Sequence, residues 1–157
     1  LLLPGSRSAE ISLALGYVAQ PYPPFRLPGW ERASLGVHGD DGHRYVNDKW
    51  GGRDFTRPFR RGETVGLGMV FSRKASAGEQ PPAYGEAPVA AQMDVEVFFT
   101  RDGKREGGWD IHEELDAQED LPVTGLEGGH DLYAAVGTFD AVEFEVRFAE
   151  KDWLYKP

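Results

Sequence analysis

Apolar and polar residues alternate with a period of two along most of this chain, the spacing of strands that bury one face. The pattern is clearest near the C-terminus, where Val142, Phe144, Val146 and Phe148 alternate with Glu143, Glu145 and Arg147. Val65, Leu67, Met69 and Phe71 repeat it with Gly66 and Gly68 between them, and Val95, Val97 and Phe99 repeat it again. Arg101-Asp102-Gly103-Lys104 then supplies the Asp-Gly pair of a tight hairpin turn. Ile11, Leu13 and Leu15 form a further strand candidate, with shorter ones over 33–38, 44–47 and 132–136. Short strands this numerous, separated by turn residues, predict an all-β, antiparallel sandwich.

Two stretches depart from that period. Asp110 followed by Glu113 has the spacing of a capping box, and Ile111 and Leu115 stand four apart, so 109–115 predicts one short helix over the sandwich. Residues 72–92 contain three prolines and no Leu, Ile, Phe or Trp, which predicts a long mobile insertion loop. Loop closure costs grow only logarithmically with length, so 65–71 and 95–101 are expected to pair as antiparallel neighbours despite it. No repeat or composition shift divides the chain, so 1–157 reads as a single domain.

Composition narrows the function classes. The 157 residues suit one domain with its own core. Lys plus Arg number 17 and Asp plus Glu 26, a net charge of −9, which disfavours a non-specific grip on nucleic acid or an anionic membrane. Twenty glycines exceed the usual ~7% and fit a chain with many turns. The absence of cysteine excludes disulfides, a thiolate nucleophile and Cys-ligated metal centres, and permits a reducing, intracellular compartment. No apolar run approaches the ~18 residues of a membrane span, so this fragment is not expected to insert into a membrane directly. Leu1-Leu2-Leu3-Pro4-Gly5 is too short for a signal peptide, and without an initiator Met the chain reads as part of something longer.

Specific motifs begin at residue 19. Ala19-Gln20-Pro21-Tyr22-Pro23-Pro24-Phe25-Arg26-Leu27-Pro28-Gly29-Trp30 is followed by His38-Gly39-Asp40-Asp41-Gly42-His43. Gly62-Glu63-Thr64-Val65-Gly66-Leu67-Gly68 comes next, and then Val97-Phe98-Phe99-Thr100-Arg101-Asp102-Gly103. This order of motifs resembles that of SPRY domains over roughly residues 11 to 149. The proline-rich run is similar to that of fungal membrane adaptors that recruit Nedd4-type HECT ubiquitin ligases to endosomal and vacuolar cargo. The His-Gly-Asp-Asp-Gly-His run is similar to Ran-binding-protein-M-like scaffold subunits of another ubiquitin ligase. The resemblance implies a concanavalin-like β-sandwich with no catalysis of its own, whose loops at one end bind a protein or peptide. It further implies a cytoplasmic location, at the cytosolic face of endosome or vacuole membranes for the adaptor type. The chain departs from the family in lacking an aromatic first strand, of which only Leu1–Leu3 could be the tail, and in carrying the insertion at 72–92.

Several constellations invite chemistry. Pro81-Pro82-Ala83-Tyr84 fits the proline-proline-x-tyrosine ligand of WW domains, with prolines that preset a polyproline II turn and a tyrosine that fills an aromatic groove. Nedd4-type ligases carry WW domains, so a HECT-ligase WW domain is the partner expected for Pro81, Pro82 and Tyr84. Aromatics and arginine on a rigid loop are what binding hot spots use, so Tyr22, Phe25, Arg26 and Trp30 are the partner-binding candidates of the proline loop, with packing onto the sandwich as the alternative. His43, in the following turn, joins them. His38 and His43 flank Asp40 and Asp41, but four candidate ligands on one turn read as turn chemistry, with Gly39 and Gly42 adopting positive φ, so no metal or other cofactor is expected. Asp110, Glu113, Glu114, Asp116, Glu119 and Asp120 read as a solvated face. Gly66-Leu67-Gly68 lies in a strand and serves packing; Trp50, Trp109 and Trp153 read as core or edge aromatics. The expectation is a non-catalytic interaction module, an adaptor between cargo or substrate and a ubiquitin ligase. The competing class is a carbohydrate-binding or glycan-cleaving concanavalin-like domain, which would need two facing carboxylates in a cleft.

Overall fold

The computed structural model describes residues 11–48, 51–73, 93–113, 115–116, 121–123 and 125–157. Most of the 72–92 insertion lies outside them, as do Pro81, Pro82, Tyr84, Trp50, Leu1–Leu3, Glu114, Glu119 and Asp120. The larger sheet holds β1 (Leu13–Ala19), β2 (Ser34–His38), β3 (His43–Val46), the two-residue β4 (Arg53–Asp54) and a late strand, Leu132–Thr138. The smaller holds β5 (Val65–Arg73), β6 (Met93–Arg101) and β7 (Lys104–Asp110). A two-residue pair, β8 (Leu115–Asp116) with β9 (Leu121–Pro122), stands apart, so the late strand is β10. The order is β10-β1-β2-β3-β4 in one sheet and β5-β6-β7 in the other, and every pairing is antiparallel.

The alternation read from the sequence accounts for the core. Leu13 of β1, Leu35 and Val37 of β2 and Val46 of β3 meet Val95, Val97 and Phe99 of β6, with Trp109 and Ile111 closing one end. β5 and β6 pair along their whole length, from Val65 opposite Arg101 to Arg73 opposite Met93, as neighbours across the insertion. Asp102 and Gly103 both have positive φ, 49° and 78°, the twist a two-residue hairpin needs. Arg101 is buried over the rings of Phe59 and Phe99, where Glu63 and Glu106 neutralise it and Thr56 and the Arg57 carbonyl each accept from Nη2. Burial alone would raise the Glu63 pKa, but Arg57, the Arg60 amide and Arg101 reverse this and hold it below the ordinary carboxylate value.

Two expectations are corrected. Residues 142–148 form no strand, although their alternation is the most regular in the chain; Phe144, Val146 and Phe148 are exposed. The helix over 109–115 is a single 3-10 turn, Ile111–Glu113, because Trp109 belongs to β7 and both Trp109 and Ile111 are drawn into the core. Asp110 does cap that turn, accepting the His112 N–H at 2.8 Å. Trp153 is 41% exposed, and its indole nitrogen donates to the Arg147 carbonyl.

Candidate interaction surface

β2 is buried on both faces. Leu35 and Val37 point into the sandwich, so Ser34, Gly36 and His38 occupy the opposite face, which a strand of an open sandwich would leave wet. The proline loop covers it. The Ser34 hydroxyl accepts the Gly29 N–H at 2.9 Å and donates to the Glu31 carbonyl. His38 Nε2 donates to the Pro28 carbonyl at 2.9 Å, since a carbonyl can only accept. Between them, a Cβ on Gly36 would overlap the Pro28 backbone. Gly16 of β1 and Gly137 of β10 extend the same lane, where side chains would overlap Pro28 and come within 2.6 Å of Leu27. Three strand glycines thus make a shallow bed, and Leu27, Pro28 and Gly29 lie buried in it.

The loop rises from that bed with its sequence candidates in different states. Tyr22 is half-buried and donates its hydroxyl to the Leu27 carbonyl at 2.6 Å, while the Ser34 hydroxyl lies 3.3 Å from the Tyr22 hydroxyl oxygen; burial raises the Tyr22 pKa. Trp30 tilts against His38 with ring centroids 5.3 Å apart and meets Tyr45 edge-on at 6.1 Å. Its indole nitrogen is buried without a hydrogen-bond partner among the described residues. Phe25 is different: it is 82% exposed, with the Arg26 guanidinium 5.9 Å from its ring centre.

His43 stands beside this aromatic group, its ring centre 6.4 Å from that of Tyr45. Its Nδ1 faces the Gly51 carbonyl at 2.9 Å and its Nε2 faces Asp54 at 2.9 Å, an arrangement that only the imidazolium satisfies at both nitrogens. The Gly51 carbonyl first, then Asp41 and Asp54, raise the His43 pKa, although burial opposes them. His38 moves the other way, because burial disfavours its charged form. Asp41 organises the turn between β2 and β3, accepting the His43 N–H at 2.8 Å and the Tyr45 hydroxyl at 2.7 Å; burial first, and then this bond, pushes the Tyr45 pKa up. Gly42 has the expected positive φ, 77°. Gly39 does not; it is glycine because a side chain there would crowd Phe59 and the Leu13 carbonyl. Asp41, His38 and His43 are committed to turn and ring contacts, and no group of three or more His, Asp or Glu stands ready for a metal among the described residues.

Loop 20–33 and the β2–β3 turn therefore place Trp30, Tyr45 and His43 in one aromatic run, with Phe25 and Arg26 on the loop above the bed. Sequence reasoning did not reach Ser34, Tyr45 or the glycine lane. Their signal was mid-strand glycine at 16, 36 and 137, which marks close approach of another backbone.

The antiparallel β-sandwich matches the fold of SPRY domains. A human SPRY domain of known crystal structure superposes with a TM-score of 0.50 at 26% identity, covering 80% of this chain and 59% of that one. The chain is similar to the protein ssh4 of Sclerotinia sclerotiorum, 27% identical over 145 residues, 92% of this chain and 23% of the relative. A SPRY domain-containing protein of Schizosaccharomyces pombe is 29% identical over 143 residues, 91% of this chain and 28% of its own length. No family model matches the chain. Fold and relatives together support a SPRY domain that resembles the fungal Ssh4 proteins, and a protein-interaction module. The chain spans about a quarter of the length of these fungal relatives. No helix among the described residues is long and apolar enough to cross a membrane.

Proposed function

We propose that this domain is a non-catalytic adaptor that holds a protein or peptide at its proline-loop surface and links it to a ubiquitin ligase. The observation that supports the loop as the contact is Phe25, which is 82% exposed next to Arg26 on a loop whose base is buried and hydrogen-bonded. A large apolar ring held in water by a pre-ordered segment loses little further entropy on binding. Phe25 and Arg26 make the direct contacts, Trp30 and His43 flank them, and Tyr22 sets the loop's shape. Pro81, Pro82 and Tyr84 form a second contact, which takes a WW domain of a Nedd4-type HECT ligase, as befits an adaptor at the cytosolic face of endosomes or the vacuole.

The test is a titration of an isolated Nedd4-type WW domain against the wild type, Tyr84→Ala and Phe25→Ala. Wild type and Phe25→Ala are expected to bind alike, at micromolar strength or weaker, about −8 kcal/mol or less in magnitude. Tyr84→Ala is expected to lose most of that. Absence of binding by the wild type, or equal binding by Tyr84→Ala, refutes the ligase link. Loss of WW binding in Phe25→Ala shows that the two surfaces are not separate.

A further inference from the structure

Charge is unevenly divided along the chain. Residues 11–61, which carry β1 to β4, the proline loop and the β2–β3 turn, hold 8 Lys or Arg against 5 Asp or Glu, a net +3. The other residues hold 9 against 21, a net −12, which brings the whole to −9. The part of the molecule that builds the candidate surface is therefore its cationic part. Four of its five acids are engaged within it: Asp41 by the His43 amide and Tyr45, Asp48 by the Gly52 amide, Asp54 by His43, and Glu31 by the Arg32 amide. On the proline loop, the Arg26 guanidinium stands 5.9 Å from the centre of the exposed Phe25 ring.

A second pair of cations is fastened to the β2–β3 turn. The Thr56 N–H donates to the Gly42 carbonyl at 2.9 Å and the Phe59 N–H to the Gly39 carbonyl at 2.8 Å. Phe59 is buried and stacks on Phe99, so Arg60 and Arg61, which follow it, are exposed at a fixed place. The Arg60 N–H donates to Glu63 at 2.8 Å, and the Glu63 N–H donates back to the Arg60 carbonyl at 3.2 Å. The Glu63 carboxylate already serves Arg57 and Arg101, and neither the Arg60 nor the Arg61 guanidinium has an acidic partner among the described residues. Exposed arginines elsewhere do: Arg105 pairs with Glu96 and Arg147 with Glu145. Trp30 rests on His38, the residue before Gly39, so the aromatic run links the proline loop to the turn that carries Arg60 and Arg61. We propose that the segment held at this surface is an acidic peptide, with an apolar side chain on Phe25 and Trp30 and carboxylates on Arg26, Arg60 and Arg61. The inference rests on the proline loop being the partner contact and adds the partner's chemistry. A guanidinium takes a carboxylate through two parallel N–H donors, so exposed arginines without an acid favour that group. Exposed charges interact over about 8 Å at physiological salt. A short peptide therefore meets only the cationic part, whereas a membrane or nucleic acid also approaches the −12 remainder.

Selection from a displayed library of random peptides, with the full chain as bait, tests this. Wild type is expected to enrich peptides richer in Asp and Glu than the input library. Resynthesised, the strongest of them should bind Arg60→Glu/Arg61→Glu at least tenfold more weakly, and Phe25→Ala likewise. Arg73→Glu/Lys151→Glu makes the same change in net charge at exposed positions outside residues 11–61 and should bind within threefold of wild type. Acidic peptides that bind wild type and Arg60→Glu/Arg61→Glu equally overturn the proposal. So does an equal loss in Arg73→Glu/Lys151→Glu, which would make net charge the cause, and so does unchanged binding by Phe25→Ala, which would set the arginines apart from the proline loop. If the enriched peptides carry no excess of acid yet Phe25→Ala loses them, the proline-loop contact stands and only its acidic partner is refuted. If nothing is enriched, the contact itself fails and this inference with it. Sedimentation of wild type, but not of Arg60→Glu/Arg61→Glu, with vesicles of phosphatidylcholine and phosphatidylserine would assign the arginines to a membrane surface and overturn the proposal too.

Discussion

The proline loop and the C-terminal segment 139–157 are both irregular, both rich in aromatic residues, and both lie against a sheet. They differ in what the sheet offers them. Under the loop, Gly16, Gly36 and Gly137 have cleared a lane, and Ser34 and His38 supply two donors and an acceptor at its margins. Leu27, Pro28 and Gly29 are buried there. Beside β5 the C-terminal segment forms no strand, and Phe148 is 76% exposed. An irregular segment is fixed when the strands beneath it give up side chains and satisfy its backbone; apolar content alone does not fix it.

Changes at the bed should therefore weigh most. Leu27→Ala removes the apolar group that fills the lane and is expected to cost about 3 kcal/mol, read as a shift of the urea midpoint. Gly36→Ala inserts a methyl against the Pro28 backbone and should cost about 2 kcal/mol. Gly129→Ala, with nothing within 4 Å of the added carbon, should stay within about 0.5 kcal/mol and serves as its control. Equal losses at positions 36 and 129 would mean that the loop is not seated in the lane. Tyr22→Phe deletes the hydroxyl shared with Leu27 and Ser34 and should cost about 1 kcal/mol, with faster exchange of loop amides as its local sign.

The smallest expected effect is on pH dependence, and it separates the two histidines of the surface. The His43 pKa is raised in the fold, so its contribution is complete below the unfolded value of about 6.5 and is lost as pH rises through the folded pKa. The His38 pKa is lowered, so stability declines as pH falls from about 6.5 toward its folded pKa. NMR titration should therefore find His43 protonating at higher pH than His38. Asp54→Asn should move the His43 midpoint downward and leave His38 in place. Coincident midpoints would contradict the burial difference between the two rings.

The strands were legible because their period survives without context. Val95, Val97 and Phe99 face one way in any sheet that buries them, and Asp102-Gly103 turns the chain whatever surrounds it. The proline loop was legible as a motif but not as a packed layer. Tyr22 and Trp30 read equally as contacts for a partner or for the sandwich; the fold puts them at the sandwich and leaves Phe25 outside. Residues 109–115 misled because capping chemistry at Asp110 is local, whereas the pull of Trp109 and Ile111 into the core is not.

By itself the sequence determined the class, the pairing of β5 with β6 across the insertion, and the motif order that resembles SPRY domains. These follow from side-chain period, turn residues and local spacing, which act over a few residues each. Only the tertiary structure decided that β2 is buried on both faces and that three distant glycines form one bed. It also left the most regular strand pattern, 142–148, outside any strand. Those outcomes depend on which surfaces meet across the sandwich, and a period of two specifies the faces of a strand but not its neighbours.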